Sequence, residues 1–114
     1  MCKRLILAYF LPLVALAQGT TAFLTGNDLL SLCKGSIAER SSCSGYIVGL
    51  SDQRTLLLAR LSKDQYGCEI PKGVNSNQLV AVFLQYLEQN PVDRHFPASF
   101  LFNHAMFKIY PCKK

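Results

Sequence analysis

The chain begins with an apolar run that has the form of an export signal. Lys3 and Arg4 precede residues 5–17, which are apolar throughout and end in the small residues of an Ala-Leu-Ala segment. A positive start, a short apolar segment and small residues before the cut are the parts of a secretory signal peptide. The run has 13 residues, too few to span a bilayer core of about 30 Å. We therefore expect residues 1–17 to be a cleaved signal peptide and the exported chain to begin at Gln18.

The remaining pattern is helical, and no window keeps the two-residue alternation of a strand for long. The first helix is predicted to begin at Thr25, whose side chain can cap it, and to end near Gly35. The second has apolar residues at helical spacing, begins at Ser41 or Ser42 and runs towards Lys63. These two helices account for the first half of the exported chain.

Two further helices fill the second half. The third covers residues 76–89, with Asn75 as its cap. The fourth covers residues 98–109, and Pro97 suits its first helical position. The sequence therefore predicts one all-α domain, residues 18–114, with about four helices.

Two glycines inside the second helix call for an explanation. Gly45 and Gly49 lie one turn apart, and each costs on the order of 1 kcal/mol relative to alanine. We predict that another backbone approaches this face closely, since only glycine leaves room for such an approach.

The third and fourth helices are apolar on more than one face. Either the bundle has a thick core, or part of this apolar surface faces another subunit or a partner. The second interpretation predicts a homodimer. The sequence favours neither over the other.

Four cysteines remain after Cys2 leaves with the signal peptide: Cys33, Cys43, Cys68 and Cys112. An even number in an oxidising compartment indicates two disulfides, and spacing alone leaves three connectivities open. The third and fourth helices, about 21 and 18 Å long, should lie antiparallel, which returns Cys112 to the neighbourhood of Cys68. Cys33 and Cys43 flank a short connection. We therefore predict the pairs Cys33–Cys43 and Cys68–Cys112, and a disulfide-stapled bundle.

Charge and composition argue against several classes of partner. Loss of Lys3 and Arg4 leaves ten basic residues against seven acidic ones, which lowers the net charge from +5 to +3. No segment combines clustered Lys or Arg with aromatic residues, as a nucleic-acid surface would. No second apolar run has membrane-spanning length. We expect a soluble exported domain that binds neither nucleic acid nor membrane.

Catalytic chemistry has little support in the sequence. Bonded cysteines supply no thiolate for catalysis or metal binding. His95 and His104 are nine residues apart, outside any paired metal-ligand pattern. We interpret His95 as a surface residue or partner contact and His104 as a half-buried packing residue. We predict no enzyme activity, no metal and no cofactor.

Two ordered sets of residues resemble a known family. The first set is residues 25–30, Cys33, Cys43, residues 45–47, Gly49 and Asp52. The second set is Cys68, Pro71, Gly73, Gln78, residues 86–87, residues 90–91, Ala98, Ala105 and residues 111–112. Their order and spacing resemble the Rap/Tai family of immunity proteins, which are paired with type VI secretion amidases. Tyr110 stands where the family would have Phe, which keeps an aromatic side chain there.

The resemblance implies a small periplasmic helical protein, usually a dimer. Such a protein would protect its own cell from a peptidoglycan amidase delivered by its kin. The amidase cuts the peptide stems of the cell wall, and the immunity protein occludes the active cleft.

The connection between the third and fourth helices is the predicted contact with an amidase. Residues 90–97 have a proline near each end, and Asp93, Arg94 and His95 offer charge and hydrogen bonds. A short polar connection held between rigid helices can enter a cleft at low entropic cost. The alternative is an ordinary interhelical loop with no partner.

A second function class uses the apolar faces instead. A periplasmic helical carrier or chaperone would bind apolar ligands or unfolded proteins on the third and fourth helices. The two classes differ in their partner, since an immunity protein captures one folded amidase tightly.

Overall fold

The computed structural model describes residues 23–61 and 66–112. Within them the chain forms four α-helices and no named strand: α1 is Gly26–Cys33, α2 is Ile37–Arg60, α3 is Ser76–Gln89 and α4 is Ala98–Ile109. The predicted all-α bundle is confirmed. The predicted signal peptide lies outside the described residues, as does Lys63 at the predicted end of the second helix.

The first helix begins as the sequence predicts. Thr25 Oγ1 accepts a hydrogen bond from the Asp28 amide at 3.2 Å, and the Asp28 carboxylate accepts one from the Thr25 amide at 2.9 Å. The Thr25 hydroxyl also donates to the Asp28 carboxylate at 2.8 Å. The two hydrogen bonds that the carboxylate accepts, from the Thr25 amide and then from the hydroxyl, lower the pKa of Asp28. The reciprocal pair satisfies two donors at the helix start.

The second helix begins earlier than predicted. Its cap is Ser36, whose Oγ accepts from the Glu39 amide at 3.2 Å, while Glu39 Oε1 accepts from the Ser36 amide at 3.2 Å. The predicted start at Ser41 or Ser42 is therefore wrong. Both hydroxyls instead donate to helix carbonyls four residues back, at Ile37 and Ala38.

The start of the last helix also differs slightly from the prediction. Pro97 has φ −53° and ψ 135° and stands just before α4, so Ala98 is the first helical residue. Pro97 pairs with Thr25 in an isolated antiparallel bridge. Proline suits this place because the chain is extended there.

One core joins all four helices. Its fully buried members, with 0% exposure, are Leu29, Ile47, Phe83, Leu87, Ala98, Phe102, Ala105 and Met106. The Phe83 and Phe102 rings meet edge to face with centroids 5.2 Å apart. This contact fixes α3 against α4 in the arrangement that aromatic rings prefer.

The described residues contain both predicted disulfides. Cys33–Cys43 joins the end of α1 to α2, and Cys68–Cys112 joins the segment after α2 to the residues after α4. The predicted pairing is confirmed. Each bond closes a loop of the unfolded chain, which contributes roughly 3 to 4 kcal/mol in the loop-entropy account.

The prediction for the two glycines of α2 is wrong. A Cβ added at Gly45 or Gly49 would meet no atom within 4 Å, and both residues are exposed. No backbone approaches that face among the described residues.

The apolar surplus divides between α3 and α4. On α3, Val80, Val82 and Leu84 pack against the core, as the thick-core interpretation predicts. On α4, Phe100 is 64% exposed and Phe107 44% exposed. Of these two helices, α4 therefore has more of its apolar surface exposed.

Candidate functional site

Residues 90–97 connect α3 to α4 and are ordered by their own hydrogen bonds. A single 3-10 turn covers Pro91–Asp93. The Asp93 amide donates to the Asn90 carbonyl at 3.2 Å, and the Phe96 amide donates to the Asp93 carbonyl at 3.0 Å. The Asn90 side-chain amide donates to the Tyr86 carbonyl of α3 at 2.8 Å. The segment is thus a defined structure, which we call the 90–97 loop.

The start of α1 holds this loop from the other side. The Gly26 amide donates to the Phe96 carbonyl at 3.0 Å, and the Asn27 amide donates to the Arg94 carbonyl at 2.9 Å. The Ala98 amide donates to the Leu24 carbonyl at 2.9 Å. The loop backbone is therefore bonded to elements on both sides of it.

The three predicted contact residues differ in exposure. Asp93 and Arg94 are half-buried, whereas His95 is exposed. The His95 ring packs on Phe96 with centroids 4.2 Å apart, and its Nδ1 lies 2.9 Å from the Val92 carbonyl oxygen. His95 is thus on the surface, and the loop presents its ring in a fixed position.

Asp93 and Arg94 are the two residues of the 90–97 loop with opposite charges. Burial, with a smaller contribution from the Asp93 charge, raises the pKa of Tyr86. The Arg94 Nε is buried without a hydrogen-bond partner among the described residues. The single ion pair found in the described part of the chain is Lys34–Glu88, at 2.8 Å. Among the described residues, Asp93 and Arg94 therefore form no ion pair.

Two apolar side chains of the loop are exposed, although the sequence-based prediction did not include them among the contact residues. Val92 is 81% exposed and Phe96 is 46% exposed. The sequence could have indicated this exposure, because Val92 and Phe96 stand in a short polar connection and not at core positions of a helix. With His95 they form an exposed surface of mixed apolar and polar character.

A groove between α2 and α4 is the second candidate site. It encloses about 570 Å³, and its lining is Gln53, Leu57, Tyr66, Ser99, Phe100, Asn103, His104 and Phe107. His104 is exposed, so its interpretation as a half-buried packing residue is wrong. None of these described lining residues is an acid, a lysine or an arginine, and the exposed Phe100 and Phe107 give the groove an apolar rim.

The described residues contain no group suited to holding a metal. In the ranges 23–61 and 66–112, no three or more His, Cys, Asp or Glu residues cluster as metal ligands would. Cys33, Cys43, Cys68 and Cys112 are all bonded. A search for membrane-spanning helices over the same part of the chain found none that is long and apolar enough.

Comparison with known proteins identifies the family. Searches among curated proteins and among solved structures found no match. Residues 25–112 match the family described as Rap1a immunity proteins, a span that starts at the cap of α1 and ends at the second disulfide. The match includes all four helices, both disulfides and the 90–97 loop. The chain therefore belongs to the Rap1a immunity protein family.

Proposed function

We propose that this protein binds a peptidoglycan amidase effector of a type VI secretion system and occludes its active cleft in the periplasm. Family membership indicates an immunity role and a partner effector. The amidase, the cleft and the compartment are our proposal. Two observations support it beyond the family assignment. They are the sequence resemblance to immunity proteins that are paired with amidases and the geometry of the 90–97 loop.

The ordered 90–97 loop is the observation that carries the proposal. Its backbone is bonded to α1 and α3, while Val92, His95 and Phe96 are exposed. Preordered contact residues lose little conformational freedom on binding, so more of the interaction energy appears as affinity. Aromatic side chains at the centre of a contact are the residues that contribute most.

The chemistry of the site favours occlusion over catalysis. All four cysteines of the exported chain are bonded, so none supplies a thiolate. His95 contacts a backbone carbonyl and a phenyl ring, neither of which orients it as a general base. We propose that the protein acts by binding alone.

Coexpression in bacteria tests the proposal. We expect the neighbouring reading frame to encode the amidase, which is directed to the periplasm in this experiment. Survival is measured with and without this protein. Full-length protein should restore growth, whereas a variant lacking residues 1–17 should not, because it would stay in a different compartment from the amidase. Lysis that continues despite a stable, exported protein would contradict the proposal.

We also propose that the working form is a homodimer joined through the groove between α2 and α4. The described residues that line the groove include no acid, lysine or arginine, so these residues of two copies with the same net charge meet without direct repulsion. The exposed Phe100 and Phe107 of one copy can fill the groove of the other, as a self-complementary two-fold interface requires. A carrier of apolar ligands would use the same groove, and such ligands would then compete with dimer formation.

A further inference from the structure

Gly26, the first residue of α1, has no conformational reason to be glycine. Among the described residues, positive φ angles occur only at Gly67 and Gly73. Gly26 is not one of them, so the left-handed freedom that glycine alone has is not used there. Its missing side chain must therefore serve another purpose.

The space beside Gly26 is filled by the 90–97 loop. A Cβ at this position would lie 2.9 Å from the Arg94 carbonyl oxygen and 3.1 Å from the Arg94 Cα, and 2.5 Å from Cδ1 of Leu101. Leu101 is a buried core side chain, so its methyl can move only if its neighbours repack. The Arg94 backbone can yield only if the loop itself moves.

Hydrogen bonds hold the two backbones at this short distance. The amides of Gly26 and Asn27 donate to the carbonyls of Phe96 and Arg94. The first amides of a helix have no partner within the helix, so the loop satisfies two donors that would otherwise need water. The contact stabilises the helix start and fixes the loop at the same time.

We infer that Gly26 is a positioning residue for partner binding. It lets the Arg94 backbone dock on the first turn of α1, which fixes the direction in which Val92, His95 and Phe96 face the partner. A displaced or mobile loop must be reordered on binding, and this lowers affinity. The inference rests on the proposed function in one respect: the position of the loop affects affinity because the loop contacts the partner.

Gly26→Ala tests this role, with Gly45→Ala as the matched control. Both replace a helical glycine, but an added Cβ at Gly45 meets nothing within 4 Å. Affinity for the amidase encoded by the neighbouring reading frame should fall by roughly tenfold or more in Gly26→Ala and stay unchanged in Gly45→Ala. Amide hydrogen exchange at Asn27 should accelerate in Gly26→Ala while core amides of α3 keep their protection.

Two further variants separate loop displacement from simple packing damage. Leu101→Val removes Cδ1, so Gly26→Ala in this background retains only the clash with the Arg94 backbone, and affinity should remain low. Asn27→Pro removes the donor to Arg94 at a helix position where proline is tolerated. It should weaken binding as well, and it serves as the test if Gly26→Ala does not fold.

Several results would overturn the inference. Wild-type affinity and unchanged Asn27 exchange in Gly26→Ala would show that the loop does not depend on the missing side chain. Recovery of affinity by Leu101→Val would assign the effect to side-chain packing. If wild-type protein does not bind the amidase, the proposed function fails, and the exchange measurement alone then decides whether Gly26 positions the loop.

Discussion

At the scale of single residues, Arg54 organises the segment that follows α2. The side chain is 1% exposed, and its guanidinium donates to the carbonyls of Tyr66 and Cys68 and to Asn103 Oδ1. Burial lowers its pKa. The residue thus connects α2 to α4 and to the backbone of a disulfide cysteine. Helical periodicity alone does not predict it, because an arginine is rarely a core residue.

Replacing Arg54 by methionine should lower the free energy of unfolding by about 2 to 4 kcal/mol. The substitution leaves the carbonyls of Tyr66 and Cys68 without their donor, and an unpaired buried acceptor costs about 1 to 3 kcal/mol. Chemical denaturation measures the loss. The control is Arg60→Met in the exposed last turn of the same helix, which should change stability by less than about 0.5 kcal/mol. Equal midpoints for the two variants would contradict the role assigned to Arg54.

The glycines show why a close backbone approach is hard to predict from the sequence. The sequence singled out Gly45 and Gly49, which are exposed with open space around them, and not Gly26, where the close approach occurs. Spacing within a helix does not reveal which face a distant loop will meet. The loop that fills the space beside Gly26 lies about seventy residues further along the chain.

At the scale of the helices, capping boxes set where three of the four begin. Thr25 with Asp28, Ser36 with Glu39, and Asn75 with Gln78 each exchange two hydrogen bonds. The caps of the first and third pairs, Thr25 and Asn75, were predicted from the sequence. The second was missed because Ser41 and Ser42 also resemble caps, whereas the glutamate three residues after Ser36 distinguishes the true start.

Ser36→Ala should therefore destabilise the protein by about 1 kcal/mol, the usual cost of losing a serine cap. The matched controls are Ser41→Ala and Ser42→Ala, which remove exposed hydroxyls that donate to carbonyls within the helix. These two substitutions should leave the stability unchanged or raise it slightly, because a serine hydroxyl that donates to a carbonyl four residues back slightly destabilises a helix. Thermal unfolding of the three variants gives the comparison. A loss confined to Ser41→Ala or Ser42→Ala would contradict the observed helix start.

The disulfide pairing was predictable because it follows from element lengths. Antiparallel α3 and α4 return the chain to its starting end, which brings Cys112 to Cys68. The exposure of individual loop side chains was not predictable in this way. Asp93 and Arg94 are half-buried while Val92 is 81% exposed, and this depends on how the 3-10 turn orients successive residues.

At the scale of the whole molecule, we propose two surfaces of the described residues as contacts for partners. One is the 90–97 loop, fixed to the start of α1 and the end of α3. The other is the groove between α2 and α4 with its apolar rim. We propose the effector for the loop and a second copy for the groove, so the two contacts use different parts of the chain.

Light scattering of the exported chain tests the second contact. Wild-type protein at micromolar concentration should have twice the mass of one exported chain. Phe100→Ser with Phe107→Ser should give a monomer, because it removes the largest exposed apolar groups of the groove. Val48→Ser, at an exposed apolar residue of α2 outside the groove, should remain dimeric. A wild-type monomer at these concentrations would contradict the proposed dimer.

The central claim is that the 90–97 loop inhibits a peptidoglycan amidase. The direct measurement titrates residues 18–114 into the purified amidase that we expect the neighbouring reading frame to encode, while following hydrolysis of peptidoglycan stem peptides. The exported chain should abolish hydrolysis at equal subunit concentration.

Val92→Ala with His95→Ala should weaken inhibition by about 2 kcal/mol or more, roughly 30-fold, with less than about 1 kcal/mol lost in stability, since both side chains are exposed. The control, Lys34→Ala with Glu88→Ala, removes an exposed pair joining α1 to α3 and should inhibit fully. Full inhibition by the loop variant would contradict the claim and move the contact elsewhere, first to the exposed side of α3.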